Sequence, residues 1–243
     1  MAIKIVNLRK EYSDVVAVNN LNLEIFDGEL FSLLGINGAG KTTLIKMLAT
    51  LTKPTSGEAF INGYSIISDD EKIKELIDIS MQETAIARKL TVDENIEFYA
   101  KLSGQSKKEI DENKSNLYKV FGLEQVKNKV ACKLSGGWQR KLSIALALVS
   151  NPKVLFLDEP TLGLDVIARR ELWKAIKALK GKMTIILTTH YMEEAEELSD
   201  RIGVMKDGNL LFTGNKEELY TKTNKMNVEE AFVHLVSGGD LDE

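Results

Sequence analysis

The segment GINGAGKT, residues 35–42, has the residue types and the spacing of a phosphate-binding loop. It matches the pattern G-x-x-x-x-G-K-[ST] in full, with Lys41 and Thr42 at its end. Glycines let backbone N–H groups surround a β-phosphate, the lysine reaches the β- and γ-phosphate oxygens, and the threonine hydroxyl can join a Mg²⁺ shell. A chance glycine-rich loop is the alternative. An apolar strand before the segment and a helix after it favour phosphate binding.

Two adjacent carboxylates, Asp158 and Glu159, end the apolar segment VLFLDE. An apolar strand delivers its last side chains to the carboxyl end of a sheet, where open α/β sheets bind their ligands. Hydrolysis of a nucleotide needs an acid on the metal side and a group that orients water. We therefore expect Asp158 to help hold Mg²⁺ and Glu159 to face the attacking water. An acidic strand cap would explain either residue taken alone.

His190 ends another apolar segment, MTIILTTH. A lone histidine in a sequence is most simply a structural residue. This one follows a second core strand, so it should reach the same crevice as the two carboxylates. We predict that it contacts the γ-phosphate.

A second anion cradle is predicted at Ser135, Gly136 and Gly137, which directly precede a helix-period apolar run. Exposed N–H groups and the positive end of a helix dipole favour negative charge. These donors suit a γ-phosphate whose near side is already occupied by Lys41. One chain carries one cradle of each kind, so two complete sites need two chains. An ordinary serine N-cap on a core helix is the alternative.

The elements around these motifs alternate between strand and helix patterns. The segments IKIVNL and VAVNNLNLEIF alternate as strands do and predict an antiparallel β region at the N-terminus. The phosphate loop lies between an apolar strand at 30–34 and an apolar-periodic helix at 42–51. After residue 151, buried strands and helices alternate again and end in a hairpin at Asp207-Gly208. This spacing predicts an α/β fold with a mainly parallel sheet.

Residues 84–150 differ from the rest of the chain, because they are charged and have helical periodicity. We interpret them as an inserted α-helical subdomain that carries the segment LSGG. Residues 1–83 and 151–243 would then form the α/β core together with the antiparallel β region.

Composition limits the class of protein. With 243 residues and 44% hydrophobic content the chain can bury a large core. A net charge of −4 gives no electrostatic footprint for nucleic acid, so we expect no nucleic-acid partner. The single cysteine, Cys132, excludes an intrachain disulfide and fits a reducing compartment, and the charged start of the sequence is unlike a signal peptide. We expect a cytoplasmic protein that touches a membrane only through partners.

The motifs as an ordered set resemble a known family. GINGAGKTT, Gln82, LSGGWQR, VLFLDE, TLGLD and His190 follow one another as in the nucleotide-binding subunit of ABC transporters, over essentially the whole chain. Each motif is moderately specific, and their order is highly specific. The resemblance implies a P-loop NTPase core, a single ATPase domain over residues 1–243, and ATP and Mg²⁺ as cofactors.

The resemblance also assigns roles to residues. It implies that Tyr12 stacks on adenine, Gln82 touches Mg²⁺ and water, Glu159 is the catalytic base, His190 contacts the γ-phosphate, and Asp165 lies on a loop that crosses between subunits. The implied catalytic residues are thus Glu159, His190 and Gln82. The implied nucleotide contacts are Tyr12, Val18, Asn37, Gly38, Ala39, Gly40, Lys41, Thr42, Thr43, Ser135, Gly136, Gly137 and Asp165. The implied metal contacts are Thr42, Gln82 and Asp158.

In this family two copies pack head to tail, and the LSGG of each closes over the ATP of the other. The resemblance therefore implies a second ATP-binding subunit, in a homodimer, and a separate integral membrane permease that holds the chain at the inner face of the cell membrane. The segment after Gln82 is where family members receive a coupling helix of that partner. The C-terminal segment NKMNVEEAFVHLVSG resembles the ABC-2 type exporter branch, which favours export over import.

Two other functions remain open at this point. One is a soluble ABC-type ATPase that acts on DNA or ribosomes, but such relatives carry long coiled-coil insertions or two fused cassettes, which this sequence lacks. The other is a degenerate module that holds ATP without hydrolysing it. The presence of Lys41, Glu159 and His190 disfavours the latter.

Overall fold

The computed structural model describes residues 1–238 of the chain. In this part the strands are β1 (Ile3–Tyr12), β2 (Val15–Ile25), β3 (Leu30–Leu34), β4 (Ser56–Ile61), β5 (Tyr64–Ser65), β6 (Ile77–Ser80), β7 (Val154–Asp158), β8 (Thr184–Thr189), β9 (Arg201–Lys206) and β10 (Asn209–Gly214). The α-helices are α1 (Lys41–Leu48), α2 (Asp70–Leu76), α3 (Val92–Leu102), α4 (Lys107–Phe121), α5 (Gly136–Ala147), α6 (Val166–Lys177), α7 (Met192–Leu198), α8 (Lys216–Thr223) and α9 (Val228–Ser237). The predicted single domain, residues 1–243, ends in residues 239–243, which lie outside this description.

The strands of residues 1–238 form two sheets. One has the order β2-β1-β4-β5 and is antiparallel, and the other has the order β10-β9-β3-β8-β7-β6. In the second sheet, neighbours from β9 to β6 are parallel and only β10 is antiparallel. Strands β3, β7 and β8 are buried along their whole length, as expected of parallel strands covered on both faces. The predicted α/β fold with an N-terminal antiparallel region is confirmed.

The core lies on both faces of the parallel sheet. Successive side chains of β7 point to opposite faces, so Leu155 and Leu157 join one core cluster and Phe156 joins the other. The cluster around Phe156 also contains Leu44 and Ile45 of α1 and residues of the antiparallel sheet. Full burial of each such side chain contributes about 1.5–3 kcal/mol. The phosphate loop is thus anchored at both ends, by β3 before it and by α1 after it.

Helices α3, α4 and α5 all lie between β6 and β7 in the sequence. Capping boxes start the first two: Thr91 with Glu94 at α3, and Ser106 with Glu109 at α4. The apolar faces of the three helices share one core cluster with β7 and β8. The start of α5 is therefore held by packing on the same sheet that carries Asp158. None of the helices within residues 1–238 is long and apolar enough to span a bilayer.

Several elements differ from the sequence prediction. The helix α1 ends at Leu48 rather than at residue 51, because Thr50 adopts a left-handed conformation (φ 59°) and the Leu51 N–H closes back on the Lys46 carbonyl. The short elements α2 and β6 were not predicted. A four-residue edge strand depends on its pairing with β7, which no local pattern reveals. The predicted hairpin at Asp207-Gly208 is confirmed by the antiparallel pairing of β9 and β10.

Candidate active site

The phosphate loop lines a cavity of about 540 Å³ at the carboxyl ends of the parallel strands. Its glycines are required by close approaches of the backbone. A Cβ on Gly40 would lie 2.1 Å from the Ala17 carbonyl oxygen, and Gly40 also has a φ of +100°. A Cβ on Gly35 would lie 2.6 Å from the Met205 carbonyl oxygen. The loop can therefore run along β2 and β9 only with glycine at these positions.

Lys41 lies over its own loop. Its Nζ donates to the carbonyl oxygens of Gly35 at 2.7 Å and Ile36 at 3.1 Å, and lies 3.6 Å from Oε1 of Glu159. The side chain is only 4% exposed. Burial lowers the pKa of Lys41, and the neighbouring carboxylates of Glu159 and Asp158 oppose that shift. The result is a fixed cation at the edge of the cavity, which suits an anionic ligand.

Asp158 is buried beneath the phosphate loop. Its carboxylate accepts hydrogen bonds from Oγ1 of Thr42 at 3.0 and 3.1 Å and from Oγ1 of Thr188 at 2.5 Å. Residues 1–238 contain no group of three or more His, Cys, Asp or Glu side chains that could hold a metal by themselves. The oxygens of Thr42 and Asp158 still fit Mg²⁺, because that ion is usually held by one or two protein oxygens together with phosphates and waters. The donor set thus suits a cation that arrives with a nucleotide.

Glu159 has a strained backbone, with a φ of +47°. Such a conformation costs about 1–3 kcal/mol and is common at functional sites. The Glu159 N–H donates to the carbonyl oxygen of Thr188 at 3.1 Å and to its Oγ1 at 3.0 Å, which fixes this conformation. Its Oε2 lies 3.2 Å from Nδ1 of His190. The carboxylate is therefore held at the cavity wall between Lys41 and His190.

Most of the predicted site residues meet at this cavity. The predicted residues that line it are Asn37, Gly38, Ala39, Gly40, Lys41, Thr42, Thr43, Gln82, Glu159 and His190. The structure adds five residues that the sequence analysis did not single out: Val15, Val16, Ala17, Leu162 and Asp207. Leu162 lies in the segment TLGLD and Asp207 in the predicted hairpin turn, but neither pattern indicates contact with this cavity, because the fold sets the approach of β2 and of these loops.

Val18 was predicted as a nucleotide contact, but its side chain does not line the cavity in this structure. Its side chain is 0% exposed and packs in a core cluster. Val15, Val16 and Ala17, which precede Val18 on β2, line the cavity instead. Tyr12 does not line the cavity in this structure. It pairs with Val15 at the end of β1, is exposed, and has Nζ of Lys10 4.7 Å from its ring centroid.

The second cradle lies apart from the cavity. Ser135 is the N-cap residue of α5, yet its side chain makes no capping hydrogen bond, and Ser135 and Gly136 are exposed. The alternative of an ordinary serine cap therefore lacks the bond that would define it. Asp165 is also away from the cavity. Its carboxylate caps α6 by accepting from the N–H groups of Ile167 at 2.9 Å and Ala168 at 3.0 Å.

Two residues that organise the site were missed by the sequence analysis. Thr188 bonds both Asp158 and Glu159 from the neighbouring strand β8. Arg140 is buried and donates to backbone carbonyls near Gln82 and Glu159. The available signals were a threonine close to His190 at the end of an apolar strand and an arginine within the segment LSGGWQR. Neither pattern shows which groups the side chain hydrogen-bonds.

A family model and a curated protein that match this chain indicate its protein family. The family model described as ABC transporter matches residues 18–162. The phospholipid-transporting ATPase ABCA3 of Homo sapiens is 44% identical over 217 residues, which cover 88% of this chain and 13% of that relative. The chain thus spans about an eighth of the length of this curated relative.

Two solved structures resemble the whole fold. The protein cbiO1 from Clostridium perfringens, part of the ABC transporter complex cbiONQ, is 31% identical with a TM-score of 0.84, over 96% of this chain and 94% of that one. A dimeric ATP-binding cassette in a post-hydrolysis state, bound to ADP and phosphate, is 29% identical with a TM-score of 0.78, over 88% of this chain and 98% of that one. With a phosphate loop, a strand-end carboxylate pair and a family match over more than half of its length, the chain belongs to the ABC transporter family and carries its ATP-binding, ATP-hydrolysing domain.

Proposed function

We propose that this chain powers a membrane exporter, in which two such chains pair around ATP and a separate integral membrane permease follows their movement. One observation carries the proposal, namely that the phosphate-binding groups of the chain lie in two separate places. Lys41, Glu159 and His190 meet at one cavity, while Ser135 and Gly136 are exposed outside it. A second chain could complete the site.

Each group at the cavity would have a separate role in hydrolysis. Lys41 would neutralise charge on the β- and γ-phosphate oxygens, as its fixed position over the loop supports. Glu159 would accept the proton of the attacking water, and the amide of Gln82 would orient that water. His190, beside the Glu159 carboxylate, would donate to the γ-phosphate.

Mg²⁺ would be held by the Thr42 hydroxyl and the Asp158 carboxylate, with Gln82 as a further oxygen ligand. When bound, the ion neutralises charge on the phosphates. The hydrogen bonds of Thr42 and Thr188 to Asp158 hold the carboxylate in place beforehand, so little rearrangement is needed.

The exposed cradle would act on the nucleotide of a partner chain. Ser135, Gly136 and Gly137 would contact the γ-phosphate held by the other chain, and Asp165 would lie on the loop that crosses between the two. Tyr12 would stack on the adenine. The dimeric state of the similar ATP-binding cassette supports pairing of this kind, and we propose that the two chains here are identical.

The permease would dock on residues 84–150, which we propose form a helical subdomain inserted into the core of residues 1–83 and 151–243. Phe98 and Leu102 of α3 are 46% and 69% exposed, which gives this surface apolar side chains for a partner. The chain would then lie on the inner face of the cell membrane, with no nucleic-acid partner. The complex that contains cbiO1 supports a multi-subunit transporter.

The proposal that two chains together form each ATP site is tested by the dependence of hydrolysis on protein concentration. Phosphate release per chain should rise with concentration and reach a plateau as dimers form. A dilute preparation that remains monomeric by light scattering but hydrolyses ATP at the plateau rate would contradict the proposal.

The partner is tested by affinity purification of the tagged full chain from detergent-solubilised membranes. We expect a polytopic membrane protein to be recovered, and to be lost when Phe98 and Leu102 are both changed to Asp. Val233→Asp on α9, another exposed apolar position, is the matched control. Recovery of ribosomes or DNA instead would favour the soluble ABC-type ATPase.

A further inference from the structure

Arg140 is a buried arginine whose partners are all backbone carbonyls. It lies in α5 and is 4% exposed. Its Nε donates to the Pro160 oxygen at 2.7 Å and its Nη2 to the Asp158 oxygen at 2.9 Å. Its Nη1 donates to the oxygens of Met81 and Gln82. One guanidinium thus holds the segment that contains Gln82 and the segment that contains Glu159.

A buried cation with this set of partners is unusual. Within residues 1–238 no carboxylate lies within ion-pair distance of Arg140. Burial lowers its pKa to about 10, and the charges of Asp158 and Glu194 oppose that shift. It therefore remains charged at neutral pH, although an apolar side chain would avoid the desolvation cost. A guanidinium, unlike an ammonium, presents a rigid planar fork of donors that can reach carbonyls in several directions. The arrangement favours a role in holding the backbone over a role in simple packing.

The carbonyls that Arg140 contacts bracket the proposed catalytic groups. One belongs to Gln82 itself, and two belong to Asp158 and Pro160, the residues on either side of Glu159. The Glu159 backbone is strained and must be held in place by its surroundings. We propose that Arg140 is a positioning residue that holds Gln82 and Glu159 in the geometry for ATP hydrolysis and connects both of them to the second cradle.

The connection to the cradle follows from the position of Arg140 on its helix. Ser135 is the N-cap of α5, and Arg140 lies in the second turn of the same helix. A shift of the cradle toward a partner's nucleotide therefore moves the guanidinium and the carbonyls that it holds. This inference rests on the proposed roles of Gln82, Glu159 and the cradle in ATP hydrolysis.

The test is Arg140→Lys in the full chain, with Arg201→Lys as the matched control. Arg201 also donates to a backbone carbonyl and to a carboxylate, but it contacts none of the cavity residues. Since a misplacement of about 1 Å costs about 10²-fold in rate, Arg140→Lys should lower kcat by about that factor while the ATP KM and the affinity of the monomer for ATP stay unchanged. Arg201→Lys should keep the wild-type kcat.

A double-mutant cycle with Glu159→Gln separates positioning from general stability. If Arg140 acts through Glu159, adding Arg140→Lys to Glu159→Gln should change the residual rate by less than about threefold. Additive losses, a wild-type kcat in Arg140→Lys, or an equal loss of monomer affinity for ATP would each overturn the inference. If Arg140→Lys does not fold, judged by circular dichroism, the cycle is repeated with Arg140→Gln. Failure of both variants to fold would assign Arg140 a purely structural role and overturn it as well.

The same experiment distinguishes an error in the proposed function from an error in the role of Arg140. A wild-type chain that does not hydrolyse ATP, or one that Glu159→Gln leaves unaffected, would contradict the site itself. An active wild-type chain with an active Arg140→Lys variant would contradict only the role of Arg140.

Discussion

Two regions of this molecule present donors suited to phosphate, and they differ in how their own polar groups are satisfied. At the phosphate-loop cavity the charged groups already have partners: Lys41 donates to two carbonyl oxygens, and Asp158 accepts from Thr42 and Thr188. At the second cradle Ser135 is exposed and its side chain makes no capping bond. The first region is organised before any ligand binds, and the second has donors still directed to solvent.

This difference predicts separate roles for the two regions. Buried donors fixed in position stabilise charge without reorganisation, whereas donors in water gain strength only after a partner excludes that water. The cavity should therefore control ATP binding to a single chain. The cradle should control turnover by the pair.

The largest expected effect is at the cavity. Glu159→Gln should lower kcat by about 10³-fold, since general-base catalysis contributes roughly 10²–10⁴-fold. ATP binding should persist, because the amide keeps the shape of the side chain. Light scattering after gel filtration should then find a dimer with ATP and a monomer with ADP. Unchanged hydrolysis would remove the assignment of Glu159 as the base.

A smaller loss of turnover is expected at the cradle, and it tests whether the cradle and the cavity have different roles. Ser135→Ala should lower turnover by about 10–100-fold, because a hydrogen bond to a charged group contributes about 1.5–3 kcal/mol. The affinity of the monomer for ATP should remain near the wild-type value in a fluorescent-nucleotide titration. Lys41→Ala, the contrasting variant in the cavity, should lose monomer binding. An equal loss of monomer affinity in Ser135→Ala would break the division between the two regions.

The smallest effect is a pH dependence at the cavity. Burial lowers the pKa of Lys41 below that of the unfolded chain, so the unfolded state binds more protons in the alkaline window between those two pKa values. The free energy of unfolding should therefore rise with pH there, relative to Lys41→Met, which cannot titrate. ATP affinity should fall in the same window as the ammonium loses its charge. Urea denaturation of the wild type and of Lys41→Met across that window measures the two free energies of unfolding. Identical pH profiles of the two proteins would contradict the prediction.

The sequence predicted the site best where one motif determines both backbone and chemistry. Residues 37–42 of the predicted loop line the cavity, because glycine spacing favours a local loop conformation that a sequence pattern can reveal. Val18 lies in the core instead of at the cavity, because its side chain packs against residues that are distant in sequence. Thr188 and Arg140 acquire their importance only from the segments that pack against them. Their partners are distant in sequence, so no local pattern could reveal them.

The sequence by itself determined the phosphate loop, the apolar strands that directly precede Glu159 and His190, and the α/β alternation of the chain. These are short-range properties, because glycine conformation and apolar periodicity act over a few residues. Only the tertiary structure decided the strand order β3-β8-β7, which brings Lys41, Glu159 and His190 to one cavity and leaves Ser135 outside it. The physical reason is that parallel pairing is made by backbone hydrogen bonds between distant segments, and any apolar strand can form such bonds with any other.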